Sequence, residues 1–186
     1  MANPQTARDA PFRTVQVDSL AFLKMLRHCI TASPTVATGS LLGMDVPGTL
    51  QVTDTFPFPL PEHSDSHEPY DRQSTSAANL AAAAPRSKAN AEYQASMLRL
   101  LRDVNTDANN VGWYMSARGG DFVTANLIEN QYFYQKELGE RTVCIVCDIG
   151  PGSSASRADS KLKAFRLSKQ FMEMYKEGPS KFTTET

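Results

Sequence analysis

The sequence predicts an α/β domain with a mixed sheet, on the strength of three observations. Short segments rich in β-branched residues alternate along the chain with segments whose apolar residues recur at helical spacing. The length of 186 residues corresponds to one domain. Hydrophobic residues make up 41% of the chain and charged residues 21%, a composition that is typical of globular proteins and excludes a fibrous or fully disordered chain.

The first part of the chain predicts an arm, a strand and a helix. Residues 1–13 show no periodicity and are expected to form a flexible arm before a domain that spans 14–178. Residues 15–17 alternate between apolar and polar side chains, as in a short strand. A broad stripe of apolar residues then predicts a helix over about 19–31, with Asp18 as its N-cap.

A hairpin and a long insertion follow the first helix. Segments 36–44 and 49–58 are apolar or alternating and flank a Pro-Gly pair, so we expect them to pair as two strands. From about 60 to 91 the chain instead carries Pro, Ser, Asp, His and a run of four alanines. Because such a segment has few large apolar groups to offset its ordering entropy, it is expected to be a mobile insertion.

A second helix is predicted from apolar residues that recur at i, i+4, i+7, i+8 and i+11, beginning at Tyr93. These residues span more of the helix surface than one core-facing stripe requires, so part of the face is expected to bind a partner protein. The residues expected at that interface are Tyr93, Met97, Leu98, Leu101 and Val104.

The remaining elements continue the alternation of strands and helices. Strands are predicted at 111–115, 142–148 and 161–167, and Thr124 is expected to cap a third helix that runs to about residue 136. A last helix should begin at Ser168 and end before the Gly-Pro pair at 178 and 179. Residues 179–186 then form either a tail or the start of a truncated extension.

The charge balance argues against bulk electrostatic binding of nucleic acid or membrane. The formal net charge is −1. The N-terminal residues lack an apolar signal region, so a cytoplasmic protein that binds no membrane is expected. One segment has a local excess of positive charge, which is interpreted as a solvated strand edge. The alternative is that this segment contacts RNA or an acidic protein. Its residues are Arg157, Lys161, Lys163, Arg166 and Lys169, against Asp159 alone.

The cysteines are predicted to be buried, structural thiols. Cys144 and Cys147 have the spacing of a redox or zinc motif, but the residues between and before them favour a strand. Positions i and i+3 of a strand point to opposite faces, so these two thiols cannot share a metal or a disulfide. Cys29 completes an odd count, which fits a reducing compartment.

The histidines offer no clear metal site. His63 and His67 are four residues apart, but prolines bracket their segment, so a solvated loop is expected instead of a helix. His28 falls in the first helix and is interpreted as a packed or surface residue.

The strand Val-Gly-Trp-Tyr-Met-Ser at 111–116, together with Gly-Ser-Leu-Leu-Gly at 39–43 and the helix over 93–104, resembles the MPN family over about residues 15–167. This resemblance implies an MPN fold, whose mixed and mostly antiparallel curved sheet is flanked by helices. Active members are zinc-dependent isopeptidases in which two histidines, an aspartate and a catalytic glutamate form the site. Such a deubiquitinating metalloprotease is the alternative interpretation of this chain.

The residues at the family's metal positions depart from that pattern. Met115 and Ala117 stand where the histidines would be, and Val36 stands at the position of the glutamate. The aspartate position falls on Leu127 with one gap, or on Ile128 without a gap. The resemblance therefore implies a member that binds no zinc, needs no cofactor and is not an enzyme.

Further motifs resemble the branch of the family found in translation initiation factor 3, although inactive members also serve the proteasome lid and the COP9 signalosome. The motifs are Thr-Phe-Pro-Phe-Pro at 55–59, Phe-Val-Thr at 122–124, Gln-Tyr-Phe-Tyr-Gln at 131–135 and Leu-Lys-Ala-Phe-Arg-Leu at 162–167. This resemblance implies a non-catalytic scaffold that pairs with a second MPN protein, the f subunit of that factor. Contact with the small ribosomal subunit would then occur through the complex.

Overall fold

The computed structural model describes residues 13–59, 86–104, 109–118, 122–150 and 162–176. These residues form a six-stranded sheet with four helices. In chain order the elements are β1 (Thr14–Val17), α1 (Ser19–Ala32), β2 (Thr38–Val46), β3 (Thr49–Pro57), α2 (Lys88–Asp103), β4 (Asn110–Ala117), α3 (Ala125–Leu138), β5 (Val143–Asp148), β6 (Leu162–Phe165) and α4 (Lys169–Lys176).

The sheet is mixed and mostly antiparallel, with strand order β1-β3-β2-β4-β5-β6. β2 runs antiparallel to β3 and β4, and β5 runs antiparallel to β6, whereas the pairs β1–β3 and β4–β5 are parallel. A bulge interrupts the pairing of β2 with β3 at Gly43, where a Cβ atom would lie 1.8 Å from the carbonyl oxygen of Gln51. Only glycine fits this close approach. The predicted α/β class is confirmed.

Helix α1 covers one face of the sheet with small and flexible side chains. Ala21, Met25, Cys29 and Ala32 are buried against a cluster that includes Val52. The broad apolar stripe that predicted this helix is only partly buried: Met25 and Cys29 pack on the sheet, whereas Leu20, Leu23 and Ile30 point to solvent. Since small residues let a helix approach the sheet closely, the weaker apolar face is the one that packs.

Helices α2 and α3 cover the opposite face. Helix α3 packs on Trp113, Cys144 and Val146, and α2 packs on a neighbouring cluster formed by the hairpin. Both helices begin at side-chain caps: the Ser87 hydroxyl accepts from the amide of Asn90, and the Thr124 hydroxyl accepts from that of Leu127. The predicted cap at Thr124 is confirmed.

The two thiols of the Cys-x-x-Cys motif lie on opposite faces of the sheet, as predicted. Cys144 packs with Trp113 beneath α3, whereas Cys147 belongs to the cluster beneath α1. Cys29 of α1 shares a hydrogen bond with Cys147. All three cysteines are buried free thiols, which confirms the structural interpretation.

Some predicted boundaries differ from the structure, and others lie outside the described residues. Helix α2 begins at Lys88, inside the segment predicted as an insertion over about 60–91, and the last strand is only Leu162–Phe165. Residues 1–12 of the arm, most of that insertion, the tail after 178 and the motif of His63 and His67 fall outside the described residues. Within the described ranges, no helix is long and apolar enough to cross a membrane.

Candidate functional site

Three of the four predicted metal positions lie together on the α3 side of the sheet. Met115 and Ala117 alternate with buried residues along β4 and share a cluster with Leu127 of α3. The fourth, Val36, immediately precedes Ala37, whose carbonyl oxygen accepts a 2.9 Å hydrogen bond from the amide of Ser116. The structure therefore places Val36 beside the β4 residues that the sequence assigned to the same site.

The side chains at this place cannot hold zinc. Met115, Ala117 and Leu127 supply a thioether and hydrocarbon, and zinc in proteins takes thiolate, imidazole or carboxylate ligands. In the part of the chain that the structure describes, no group of three or more His, Cys, Asp or Glu residues could hold a metal ion. The zinc of active family members therefore does not fit these residues.

The nearest potential ligand in the cluster is Cys144, and its chemistry also argues against a metal. Cys144 is fully buried, and this burial raises the pKa of its thiol well above the usual value. A thiolate would be needed to bind zinc or to attack a substrate. Ser116, the polar neighbour on β4, uses its hydroxyl oxygen to accept a 2.8 Å hydrogen bond from the amide of Ala37. Both side chains are structural.

Two buried glutamines of α3 form a hydrogen-bond network that reaches Trp113 of the apolar cluster. This network was not predicted from the sequence. Gln131 accepts from the indole of Trp113 over 2.9 Å and donates to Gln135 over 2.9 Å and to the carbonyl oxygen of Thr142 over 2.8 Å. Gln135 continues the network to the backbone of Leu167. The i, i+4 spacing of two glutamines within an aromatic motif was the only signal that could have revealed it.

The face of α2 that was predicted to bind a partner packs largely within the domain. Tyr93, Met97, Leu98 and Leu101 lie against the hairpin cluster of Leu42, Phe56 and Phe58. The ring centroids of Tyr93 and Phe56 are 6.2 Å apart. Those four side chains are half-buried, so the wide apolar face is explained in part by the domain's own core.

One edge of α2 remains exposed. Leu100 is 54% exposed and Val104, one turn further on, is 68% exposed. On a helix these two residues lie on the same side as Tyr93 and Met97, and they are exposed where those two pack on the hairpin. Leu100 was not among the residues predicted for the interface.

A second exposed apolar stripe lies on α1, at the other side of the sheet. Leu20, Leu23 and Ile30 are 60%, 57% and 58% exposed, and their spacing places them along one side of the helix. These residues belong to the apolar stripe that predicted the helix. Their exposure makes α1 a second surface that a partner protein could cover.

The chain is similar to known proteins in two comparisons. Residues 10–89 match the family described as JAB1/Mov34/MPN/PAD-1 ubiquitin protease. The chain is 54% identical over 179 residues to the H subunit of eukaryotic translation initiation factor 3 from Coccidioides immitis, covering 96% of this chain and 46% of that protein. It is 53% identical over 182 residues to the Sclerotinia sclerotiorum protein of the same name, covering 97% and 47%. The chain thus spans about half the length of the relatives it matches.

Proposed function

This chain belongs to the JAB1/Mov34/MPN/PAD-1 family, and we propose that it is a non-catalytic scaffold of the eukaryotic translation initiation factor 3 complex, similar to the H subunit. The resemblance first seen in the motifs at 55–59 and 131–135 led to the same complex, and relatives more than 50% identical over nearly the whole chain bear that name. The proposal of a non-catalytic role rests on one observation: Met115, Ala117 and Leu127, at the family's metal positions, are apolar.

The rival function is a zinc-dependent ubiquitin protease, which the family description itself names. Such an enzyme needs protein ligands for zinc and a base that accepts the proton of the bound water. The apolar cluster offers neither, and Cys144 is held as a neutral thiol. Metal analysis of the purified chain and incubation with ubiquitin chains separate the two functions: cleavage that a chelator abolishes would overturn the scaffold proposal.

A scaffold protein must bind the other components of its complex, and α2 offers an exposed edge for this purpose. We assign the contact with a second MPN protein, the f subunit of the complex, to the side of α2 that carries Met97, Leu100 and Val104. An exposed leucine and valine one turn apart are costly to leave in water and give a partner helix an apolar contact. The stripe on α1 is the competing surface for the same partner.

The two surfaces can be told apart by paired variants. Leu100→Glu with Val104→Glu should abolish copurification of the f subunit, because the new carboxylates would be buried without counter-ions at the interface. Leu20→Glu with Leu23→Glu is the matched control on α1. All four residues are exposed, so both variants should fold, and circular dichroism checks this. Loss of the partner only in the α1 variant would show that the assignment to α2 is wrong.

Action on the small ribosomal subunit would then come through the assembled complex in the cytoplasm. Mass spectrometry of the proteins that copurify with this chain from its own cells tests membership directly. We expect the other subunits of initiation factor 3 in stoichiometric amounts. If proteasome lid or COP9 signalosome subunits were recovered instead, the chain would be assigned to that complex and the proposal would be wrong.

A further inference from the structure

A groove of about 1060 Å³ lies between the C-terminal half of α3 and the short helix α4. The turn that follows α3 and the segment between β6 and α4 complete its walls. This place is distinct from the apolar metal position and from the exposed edge of α2. None of the motifs used to assign the family predicts it.

The floor of the groove is held in place by buried hydrogen bonds. Gln135 is buried, and its amide donates to the carbonyl oxygen of Leu167 over 3.1 Å and accepts from the amide nitrogen of Leu167 over 2.7 Å. The rings of Tyr132 on α3 and Tyr175 on α4 are 4.7 Å apart, which joins the two helices at one side. The groove is therefore a built feature of the domain, with a partly apolar lining that includes Met172.

The rim of the groove carries an excess of positive charge. Five cationic side chains line it against two carboxylates. Lys169 pairs with Glu140 over 2.7 Å, and Arg141 pairs with Asp45 outside the groove. The cations that line it are Lys136, Arg141, Arg166, Lys169 and Lys176, and the carboxylates are Glu140 and Glu173.

We propose that this groove binds an acidic amphipathic helix of a partner protein. Tyr132, Leu167 and Met172 give apolar contacts for one face of such a helix, while the lysines on both walls attract its acidic face. The adaptable thioether of Met172 suits such a contact. A nucleic acid fits less well, because its phosphate backbone offers no apolar face to contact Leu167 and Met172. The inference does not depend on membership in the initiation factor 3 complex.

The probe is a fluorescein-labelled synthetic helix of about 18 residues, with leucine along one face and glutamate elsewhere. Fluorescence anisotropy with the full chain should show binding that weakens as salt is raised. A scrambled peptide of the same composition should bind at least about tenfold more weakly, because its leucines no longer share one face.

Charge reversal locates the binding on the protein. Lys136→Glu with Lys176→Glu should weaken peptide binding by about tenfold, since attraction becomes repulsion on both walls. Arg27→Glu with Arg99→Glu reverses two exposed charges on α1 and α2 and should leave binding unchanged. Thermal melting confirms that each variant is folded.

Three results would overturn the proposal. They are equal binding of the scrambled peptide, peptide binding that is unaffected by reversal of Lys136 and Lys176, and absence of peptide binding. A uridine oligonucleotide is tested in parallel. If it binds in place of the peptide and loses its affinity in the Lys136 and Lys176 variant, the groove takes RNA and the assignment to a protein helix is wrong.

Discussion

The indole nitrogen of Trp113 donates a 2.9 Å hydrogen bond to the side-chain oxygen of Gln131, and both residues are buried. The bond joins β4, which carries the Gly-Trp-Tyr motif, to helix α3. The amide nitrogen of Gln131 then donates to Gln135 and to the carbonyl oxygen of Thr142. One glutamine thus satisfies three buried polar groups, and each would cost free energy if left without a partner.

We therefore expect Gln131→Leu to lower the free energy of unfolding by about 3 kcal/mol. The leucine is similar in size but removes the partner of the indole N–H and of the Thr142 carbonyl oxygen, and it leaves Gln135 with only the amide of Leu167 as a donor to its side-chain oxygen. Urea denaturation followed by Trp113 fluorescence measures the change. Gln170→Leu, at an exposed position of α4, is the control and should shift stability by less than about 0.5 kcal/mol. Equal effects of the two changes would mean that the network contributes little.

His28 should make the stability of the domain sensitive to mild acid. Its Nδ1 atom lies 2.8 Å from the hydroxyl oxygen of the buried Tyr114, and burial lowers the pKa of His28 below its usual value. The unfolded chain then binds the proton first as pH falls, so stability is lost from about pH 6.5 down to the lowered pKa of the folded state. At higher pH the histidine is neutral in both states.

The matched variant for this prediction is His28→Gln, which keeps a polar side chain but does not titrate. Urea denaturation at about pH 7.5 and about pH 5.5 should show a smaller loss of stability in the variant than in the parent chain. If both chains lose the same amount, the acid sensitivity comes from other groups.

Periodicity predicted the elements well, but it could not decide which face of a helix packs. In α1 the strongest apolar stripe holds Leu20 and Leu23, yet the structure buries Ala21 and Met25. Both sets recur at helical spacing, so the sequence pattern fits either orientation. The choice depends on how closely the helix approaches the sheet, which is a property of the tertiary structure and not of the helix alone.

The metal position and the groove show which long-range contacts could be predicted from the sequence and which could not. Met115, Ala117 and Leu127 could be placed together before the structure because a family resemblance supplied their register. The Gln135 contact with Leu167 could not, since it joins residues 32 positions apart through side-chain geometry that no local pattern encodes. Sequence reasoning reaches long-range contacts only where a known fold supplies them.

Restoring the two histidines should not restore a zinc site. In Met115→His with Ala117→His, two imidazoles would lie on one face of β4, but Leu127 and Val36 still offer no oxygen or nitrogen ligand. Zinc needs at least three protein ligands for a stable catalytic site. Elemental analysis after dialysis should find far less than one zinc per chain. One retained equivalent of zinc would contradict this prediction and show that two histidines are enough to rebuild the site.

The three cysteines should be unreactive in the folded chain. Cys29, Cys144 and Cys147 are buried, the hydrogen bond with Cys147 and burial raise the pKa of Cys29, and burial raises that of Cys144. Because thiolates are the reactive form, Ellman's reagent should label them only as fast as the domain opens, and all three should react in denaturant. Ala95→Cys, at an exposed position of α2, is the positive control and should react at once. If Cys29 and Cys147 were labelled rapidly in the native chain while Cys144 was not, helix α1 would separate from the sheet more readily than α3 does.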